Sequence, residues 1–287
     1  MVLKKRIIKE PVSQIREAAR AAMRGRLGIL FTSSALYALC LTIPIIVVEQ
    51  ITGFWDVFER AIEDYTALLF ANPSYEAINE WYLAYSDKLS PSIATLLFLL
   101  IVPGPIELGI SSIWLRVMRG KEAYTDMVFS GFGNLLRAVL LNLIRGILIA
   151  LWSILLIIPG IVAYYRYNLA FFLLADNPGM SPFAAITYSK AYMQENKSSR
   201  FILDLSFIGW FAIAVAVNFL LNSAILSAIE GAGNDISLFT QYIISYTLNA
   251  IILAPVFAYR GVASADFYHR VICRDPKSYT DVPILPG

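Results

Sequence analysis

The segment from Leu151 to Asp176 constrains the fold of this chain more than any other part. It reads LWSILLIIPGIVAYYRYNLAFFLLAD and carries one positive charge, on Arg166. Over residues 138–175 the charged side chains are those of Arg145 and Arg166. A single helix of these 38 residues would measure about 57 Å, whereas the hydrocarbon core of a bilayer is about 30 Å thick. We therefore predict two membrane-spanning helices that reverse direction at Pro159-Gly160.

The composition agrees with a lipid environment. Hydrophobic residues make up 58% of the 287 residues and charged residues 15%, with a mean hydropathy of +0.63, whereas soluble domains are about 25% charged. No polar stretch is long enough to form a separate soluble domain, so we predict one all-α membrane domain over residues 1–287. Six apolar segments are predicted to span the membrane: 27–48, 92–115, 138–158, 161–175, 201–221 and 238–259.

The distribution of charge predicts the orientation. With both termini in the cytoplasm, 19 of the 23 Lys and Arg residues lie on the cytoplasmic side, and the outer segments 49–91 and 222–237 hold only Arg60 and Lys88 against ten Asp and Glu. This is the positive-inside pattern. We expect a bacterial cytoplasmic-membrane protein with cytoplasmic N- and C-termini, in which the first apolar segment is an anchor and not a cleavable signal peptide.

The N-terminal segment 1–26 is predicted to contain a basic amphipathic helix. Arg16, Arg20 and Arg24 share one helical face, and Ile15 and other apolar residues share another. Such a helix is suited to an anionic membrane surface, so these arginines are candidate lipid contacts. The alternative is a solvated extension that only enforces the topology.

The outer loop 49–91 is predicted to form two acidic amphipathic helices rich in aromatic residues. They would lie at the outer interface, where Trp and Tyr are favoured, or cap the bundle as a lid, and their acidic side offers a surface for a basic partner. The candidate interfacial or partner residues are Phe54, Trp55, Phe58, Tyr65, Trp81 and Tyr82.

Three segments are predicted on the cytoplasmic side. In 176–200, Ser181 is a good N-cap and Pro182 suits the first position of an amphipathic helix. Residues 127–134 (MVFSGFGN) are interpreted as a surface turn, with a short re-entrant segment as the alternative. The last segment, 260–287, is predicted to be a cytoplasmic tail.

Four charged residues fall inside predicted spans and form a candidate intramembrane polar cluster: Glu107, Arg145, Arg166 and Asp204. Charges at membrane depth normally face a partner or a watery cavity. Glu107 and Arg145 are the first candidate ion pair, and Asp204 would join them, cap its helix or bond Ser206. Arg166 is predicted near the outer end of its span, where its side chain would either join the cluster or extend to the interface. The cluster has either a structural or a functional role.

Two sites are predicted to interrupt the spans: Pro103, Gly104 and Pro105, and then Pro159 and Gly160. Breaks of this kind release backbone carbonyls that the protein or water must satisfy. Broken helices often mark transporter sites, but the sequence shows no convincing inverted repeat.

Motifs for catalysis are missing from the sequence. It contains no HExxH, GxSxG, Walker or GxGxxG motif, so we do not expect an enzyme. One His and two Cys do not supply a metal cluster, and no cofactor is expected. The basic residues follow the topology and do not form a stripe with aromatics, which argues against nucleic-acid binding.

Residues 158–193 (IPGIVAYYRYNLAFFLLADNPGMSPFAAITYSKAYM) and FILDLSFIGW at 201–210 strongly resemble a family of bacterial membrane proteins catalogued as domain of unknown function 975. The chain departs from the family pattern at Glu195, where Gly is expected, and at APV in 254–256. The resemblance implies a multi-span architecture and no established activity. A looser similarity, to the membrane domains of some glycerophosphodiester phosphodiesterases, hints at lipids.

Three functions are consistent with these features. The first is a non-catalytic scaffold or accessory protein that binds membrane lipids, a protein partner or a second copy of itself. The second is a small transporter or channel that uses the intramembrane polar cluster. The third is an enzyme that acts on a lipid headgroup. The first is favoured, because no catalytic motif or repeat supports the others.

Overall fold

The chain is built from helices throughout the residues that the computed structural model describes, 6–233 and 236–273. The N-terminal half contains α1 (Val12–Met23), α2 (Leu27–Ile51), α3 (Phe54–Phe70), α4 (Tyr75–Tyr85), α5 (Ile93–Ile101), α6 (Pro103–Met118) and a 3₁₀ helix (Thr125–Asn134). The C-terminal half contains α7 (Leu135–Leu155), α8 (Ile157–Arg166), α9 (Ala170–Asp176), α10 (Pro182–Met193), α11 (Lys197–Leu205), α12 (Ile208–Gly231) and α13 (Leu238–Ile272). Residues 1–5 of the expected basic terminus and 274–287 of the expected tail lie outside this description.

Six helical segments are long and apolar enough to cross a membrane, as judged by length and composition. They are Leu27–Ile51, Ile93–Met118, Thr125–Leu155, Ile157–Asp176, Lys197–Ile229 and Leu238–Ile272. Large apolar side chains remain exposed on the folded chain, and from Ile154 to Ile158 each side chain leaves at least 67% of its surface uncovered. Such a surface is unsuited to water. The prediction of an all-helical chain with six apolar spans is confirmed at this level.

The buried core lies where α13, α6 and α2 pack together, with α1, α9 and α10 around them. The C-terminal half of α13, from Ala258 onward, is almost entirely buried. Helix α1 places Ile15, Ala19 and Met23 against this core. Its apolar face therefore contacts the protein itself, which corrects the expectation that this face lies on a membrane surface.

The helical hairpin in 138–175 forms, but its reversal differs from the prediction. Helix α7 ends at Leu155, and the chain turns at Leu156, whose backbone is extended. Pro159 and Gly160 lie in the first turn of α8, where proline's missing N–H leaves no broken hydrogen bond. Gly160 allows α8 to approach α7, because a Cβ atom there would overlap Ser153.

Four of the predicted spans differ in their bounds or interruptions from the prediction. The fourth span is divided into α8 and α9 and the fifth into α11 and α12, each by a short non-α turn. The second is interrupted only at Val102, directly before Pro103. The sixth continues to Ile272, so residues 260–272 extend a helix and are not a separate tail. Burial against α6 and α1 stabilises this extension, and the hydropathy of the sequence does not reveal it.

The segment expected to be a surface turn, 127–134, belongs to the 3₁₀ helix and packs closely on α6. Gly109 of α6 lies against the carbonyl of Val128, and Gly131 lies against the carbonyl of Pro105. A Cβ atom on either glycine would overlap the opposing backbone. These two glycines therefore allow α6 and the 3₁₀ helix to approach closely, as small residues do between membrane helices.

The segment 49–91, for which an outer position is predicted, forms the two expected helices, α3 and α4, and they pack on each other. Trp81 donates from Nε1 to the carbonyl of Ala61 at 3.0 Å, and Tyr85 donates to Asp64. The hydrogen bond to Asp64 raises the pKa of the Tyr85 hydroxyl above its ordinary value. At the base of α3, Trp55 donates to the carbonyl of Ile46 at 3.1 Å and packs on Tyr242.

We predict that Gly109→Ala destabilises the protein by about 1–3 kcal/mol, since the added methyl group forces two backbones apart. Gly146→Ala is the matched control, because a Cβ atom at that helical glycine meets nothing within 4 Å. Thermal unfolding of the purified variants in detergent measures the difference. Equal unfolding midpoints for the two variants would show that the contact at Gly109 is not tight.

Candidate functional site

Glu107 and Arg145 form a two-point ion pair between α6 and α7. The guanidinium donates from Nη1 to Oε1 at 2.6 Å and from Nη2 to Oε2 at 2.5 Å. The same guanidinium lies 4.6 Å from the centre of the buried Phe171 ring. Both charges are thus neutralised within the bundle, and the planar fork of arginine fixes the relative position of two helices.

Asp204 lies between two arginines and does not join that pair. Its Oδ1 accepts from Arg260 Nε at 2.9 Å and lies 3.3 Å from Arg200 Nη2. Arg200 is fully buried and also donates to Asn168 and Ser264, at 3.0 and 2.8 Å. One carboxylate therefore joins α11 to α13, and the buried arginine extends the contact to the turn after α8.

The four charges predicted to form one cluster are arranged as separate groups. Glu107 and Arg145 form one group, and Asp204 with its two arginines forms a second. The hydroxyl of Tyr164 contacts the second group, because it accepts a 3.3 Å hydrogen bond from Arg260. Arg166 belongs to neither. The expectation of a single cluster is corrected, because each carboxylate finds an arginine close to it.

Arg166 is the last residue of α8 and faces different surroundings. Its guanidinium carbon lies 5.9 Å from the centre of the Trp152 ring. Its backbone carbonyl accepts from Ser189 Oγ at 3.0 Å. Helix α10 folds back beside α8, so Arg166 lies close to the residues of α10.

Arg166 lines two cavities. The first, of about 380 Å³, also contains Thr187, Lys190, Gln194 and Lys197. The second, of about 230 Å³, is apolar and is lined by Trp152, Ile158, Pro159, Val162 and Ala163. Arg166, Lys190 and Lys197 make no ion pair with a carboxylate in the described part of the chain. The first cavity therefore has the chemistry of an anion site, which we call the basic cavity.

A third cavity, of about 440 Å³, lies between α12 and α13. Its polar lining consists of Asn218, Asn222, Gln241, Tyr242, Ser245, Tyr246 and Asn249. Ser245 donates to Asn222 at 3.0 Å, and Asn218 Oδ1 finds no hydrogen-bond partner among the described residues. These amides and hydroxyls carry no charge, and none of the sequence-predicted cluster lines this space.

The sequence did not indicate the ion pair between Arg119 and Asp176, which ties the end of α6 to the end of α9. The guanidinium donates to both carboxylate oxygens, at 2.5 and 2.7 Å, and Tyr268 donates to the same carboxylate at 2.9 Å. Burial lowers the pKa of Arg119, but the hydrogen bonds and charge of Asp176 raise it above its ordinary value. On balance, the contacts with Asp176 keep the Arg119 guanidinium protonated and positively charged.

The predicted surface residues are placed as follows. Arg20 of α1 and Arg24, directly after α1, are exposed, whereas Arg16 lies between the Phe207 and Tyr259 rings, at 5.5 and 5.8 Å from their centres. On α3 and α4, Phe54 and Phe58 stack on each other, Trp55 and Trp81 make the internal contacts described above, and Tyr65 and Tyr82 are exposed. Arg16 and the two tryptophans therefore contribute to packing.

The chain has a match among known protein families. Residues 154–275 match the model of a family described as "Protein of unknown function (DUF975)", which confirms the resemblance predicted from 158–193 and 201–210. No curated protein and no solved structure matches the chain. The match extends through α8–α13 and includes both the basic cavity and the group at Asp204.

We predict that Glu107→Gln lowers the stability of the protein by about 3 kcal/mol, because it leaves the Arg145 charge without compensation. Exchanging the charges, with Glu107→Arg and Arg145→Glu together, is expected to restore part of the loss. Glu63→Gln, at an exposed site on α3, is the control. Thermal unfolding in detergent is the measurement, and equal damage from the single change and the exchange would contradict a simple pair.

Proposed function

Because the matched family has no assigned function, we propose one from the charges and cavities themselves. The protein is a multi-pass cytoplasmic-membrane protein with cytoplasmic termini, and it acts without catalysis by binding membrane lipids or a protein partner. The observation that carries this proposal is that the carboxylates in the predicted spans are paired with arginines. Glu107 is held by Arg145, and Asp204 is held by Arg200 and Arg260.

Closed ion pairs are poorly suited to transport or acid–base chemistry. A transported proton or ion needs a carboxylate that exchanges partners along a watery path. The three described cavities are not lined by Glu107, Arg145 or Asp204. In the described residues, no three His, Cys, Asp or Glu side chains come together to hold a metal. Buried pairs of this kind more often specify how helices pack.

The proposed orientation rests on charge. The helices α3 and α4 carry most of the acidic residues of 49–91, and α1, α10 and the end of α6 carry basic residues. Basic segments are retained on the cytoplasmic side. The acidic helices would then face the opposite side, where Tyr65 and Tyr82 are exposed to the interface or to a partner.

Cysteine labelling tests the orientation. We expect an impermeant maleimide to label Glu63→Cys on intact cells, and to label Arg20→Cys only after the membrane is permeabilised. Both positions are exposed on the folded chain. The wild-type protein, whose Cys40 is half-buried and Cys273 buried, gives the background. Labelling of Arg20→Cys on intact cells would contradict the proposed topology and place the N-terminus on the outer side.

Liposomes test the absence of transport. We expect the purified protein, reconstituted into vesicles that contain a pH-sensitive dye, to leave proton and potassium leak at the level of protein-free vesicles, because the charges are paired. The Glu107→Gln variant serves as the comparison. A leak through the wild-type protein that Glu107→Gln abolishes would favour the alternative, a small transporter or channel built on this pair.

A further inference from the structure

We propose that the basic cavity binds the headgroup of a phosphate-bearing anionic lipid, whose acyl chain follows the adjoining apolar cavity. This inference rests on the proposed lipid-binding function and names its ligand and site. The two cavities have opposite chemistry and share one residue, Arg166. A ligand that occupies both must have an anionic end and an apolar end.

The charges of the basic cavity are suited to phosphate. Arg166, Lys190 and Lys197 contribute three positive charges, and the lining contains no Asp or Glu. Thr187 and Gln194 add a hydroxyl and an amide that can donate to phosphate oxygens. Arginine supplies a planar fork of donors and lysine a compact charge, and both are common at phosphate sites.

The walls of the basic cavity are held together by hydrogen bonds. Ser189 Oγ donates to the carbonyl of Arg166 at 3.0 Å and accepts from the amide of Leu169 at 3.2 Å. One side chain of α10 thus binds the end of α8, and Lys190, the next residue of α10, lines the same cavity as Arg166. A preformed arrangement of this kind reduces the ordering that binding requires.

The adjoining apolar cavity favours a lipid over a soluble anion as the ligand. Trp152, Ile158 and Val162 line it and are themselves exposed to the apolar surroundings of the bundle. Arg166 packs against Trp152, so its charge lies at the boundary between the two spaces. In the proposed topology Lys190 and Lys197 belong to a cytoplasmic segment, where anionic lipids of the inner leaflet are attracted to basic side chains.

The wild type and three variants are compared to test the site. The cavity variant combines Arg166→Gln, Lys190→Gln and Lys197→Gln. The control removes the same charge at exposed positions outside the cavity, through Lys9→Gln, Lys121→Gln and Arg137→Gln. The chain variant is Val162→Trp, which fills the apolar cavity. Native mass spectrometry of each delipidated protein, titrated with phosphatidylglycerol, phosphatidylcholine or inorganic phosphate, measures binding.

We expect phosphatidylglycerol to bind the wild type more tightly than phosphatidylcholine, and the cavity variant about a hundredfold more weakly, because three basic contacts are lost. The control is expected to lose only a few-fold. Val162→Trp is expected to weaken phosphatidylglycerol binding. Inorganic phosphate is not expected to displace the lipid at equal concentration.

Other results would overturn the inference in distinguishable ways. Equal losses in the cavity variant and the control would show that a general basic surface binds the lipid, which leaves the proposed function intact. Displacement by inorganic phosphate, with no effect of Val162→Trp, would assign the cavity to soluble phosphate. Failure of any lipid to bind the wild type would contradict the lipid-binding function itself.

A single substitution at an exposed position gives a second test that does not depend on the folding of the triple variant. Lys190 is exposed, so Lys190→Glu is expected to keep the thermal unfolding midpoint of the wild type. It reverses one charge in the cavity and is expected to weaken phosphatidylglycerol binding about tenfold or more. Unchanged lipid binding in a folded Lys190→Glu protein would contradict the site.

Discussion

Asp204, held by Arg200 and Arg260, illustrates the constraint on which the bundle depends: a charge away from water must meet an opposite charge. The same constraint joins Glu107 to Arg145 and Asp176 to Arg119. The pairs Arg260–Asp204, Arg145–Glu107 and Arg119–Asp176 each join different helices, whose paired residues lie 38 to 57 positions apart in the sequence. Between helices surrounded by lipid, apolar contact alone distinguishes poorly among neighbours, because lipid tails are equally apolar. The ion pairs and the close glycine contacts therefore specify which helices meet.

This arrangement separates the interior of the bundle from its binding surfaces. The carboxylates within the core are occupied by arginines, whereas the basic side chains of the cavity at the edge of the core have no carboxylate partner among the described residues. Arg145 and Arg166 show the difference, since both were predicted for one intramembrane cluster. Arg145 pairs with Glu107, whereas Arg166 lies by an aromatic ring and lines a cavity together with Lys190 and Lys197. A charge without an internal partner is available to a ligand.

The sequence predicted what depends on local pattern. Apolar length gave the six candidate spans, and Ser181 accepts from the Ala184 amide at the start of α10, as its position before Pro182 suggested. Long-range contacts were not accessible in this way. Arg200 and Arg260, the partners of Asp204, were assigned to cytoplasmic segments. The contacts that bury Arg260 come from helices distant in the sequence, and local pattern does not reveal them. Arg200 and Asp204, four residues apart on one helix, were the available signal. The basic cavity was missed, since it needs α10 to fold back on α8.

Helix α13 has 35 residues and measures about 52 Å, which exceeds the thickness of the hydrocarbon core. Near one end Tyr242 packs on Trp55 at the base of α3, and farther along the hydroxyl of Tyr259 accepts a hydrogen bond from Arg16 of α1. Between them, Pro255 removes one backbone hydrogen bond from the rod. One continuous helix therefore contacts both α3 and α1, so a rotation of α13 about its axis would disturb both contacts together.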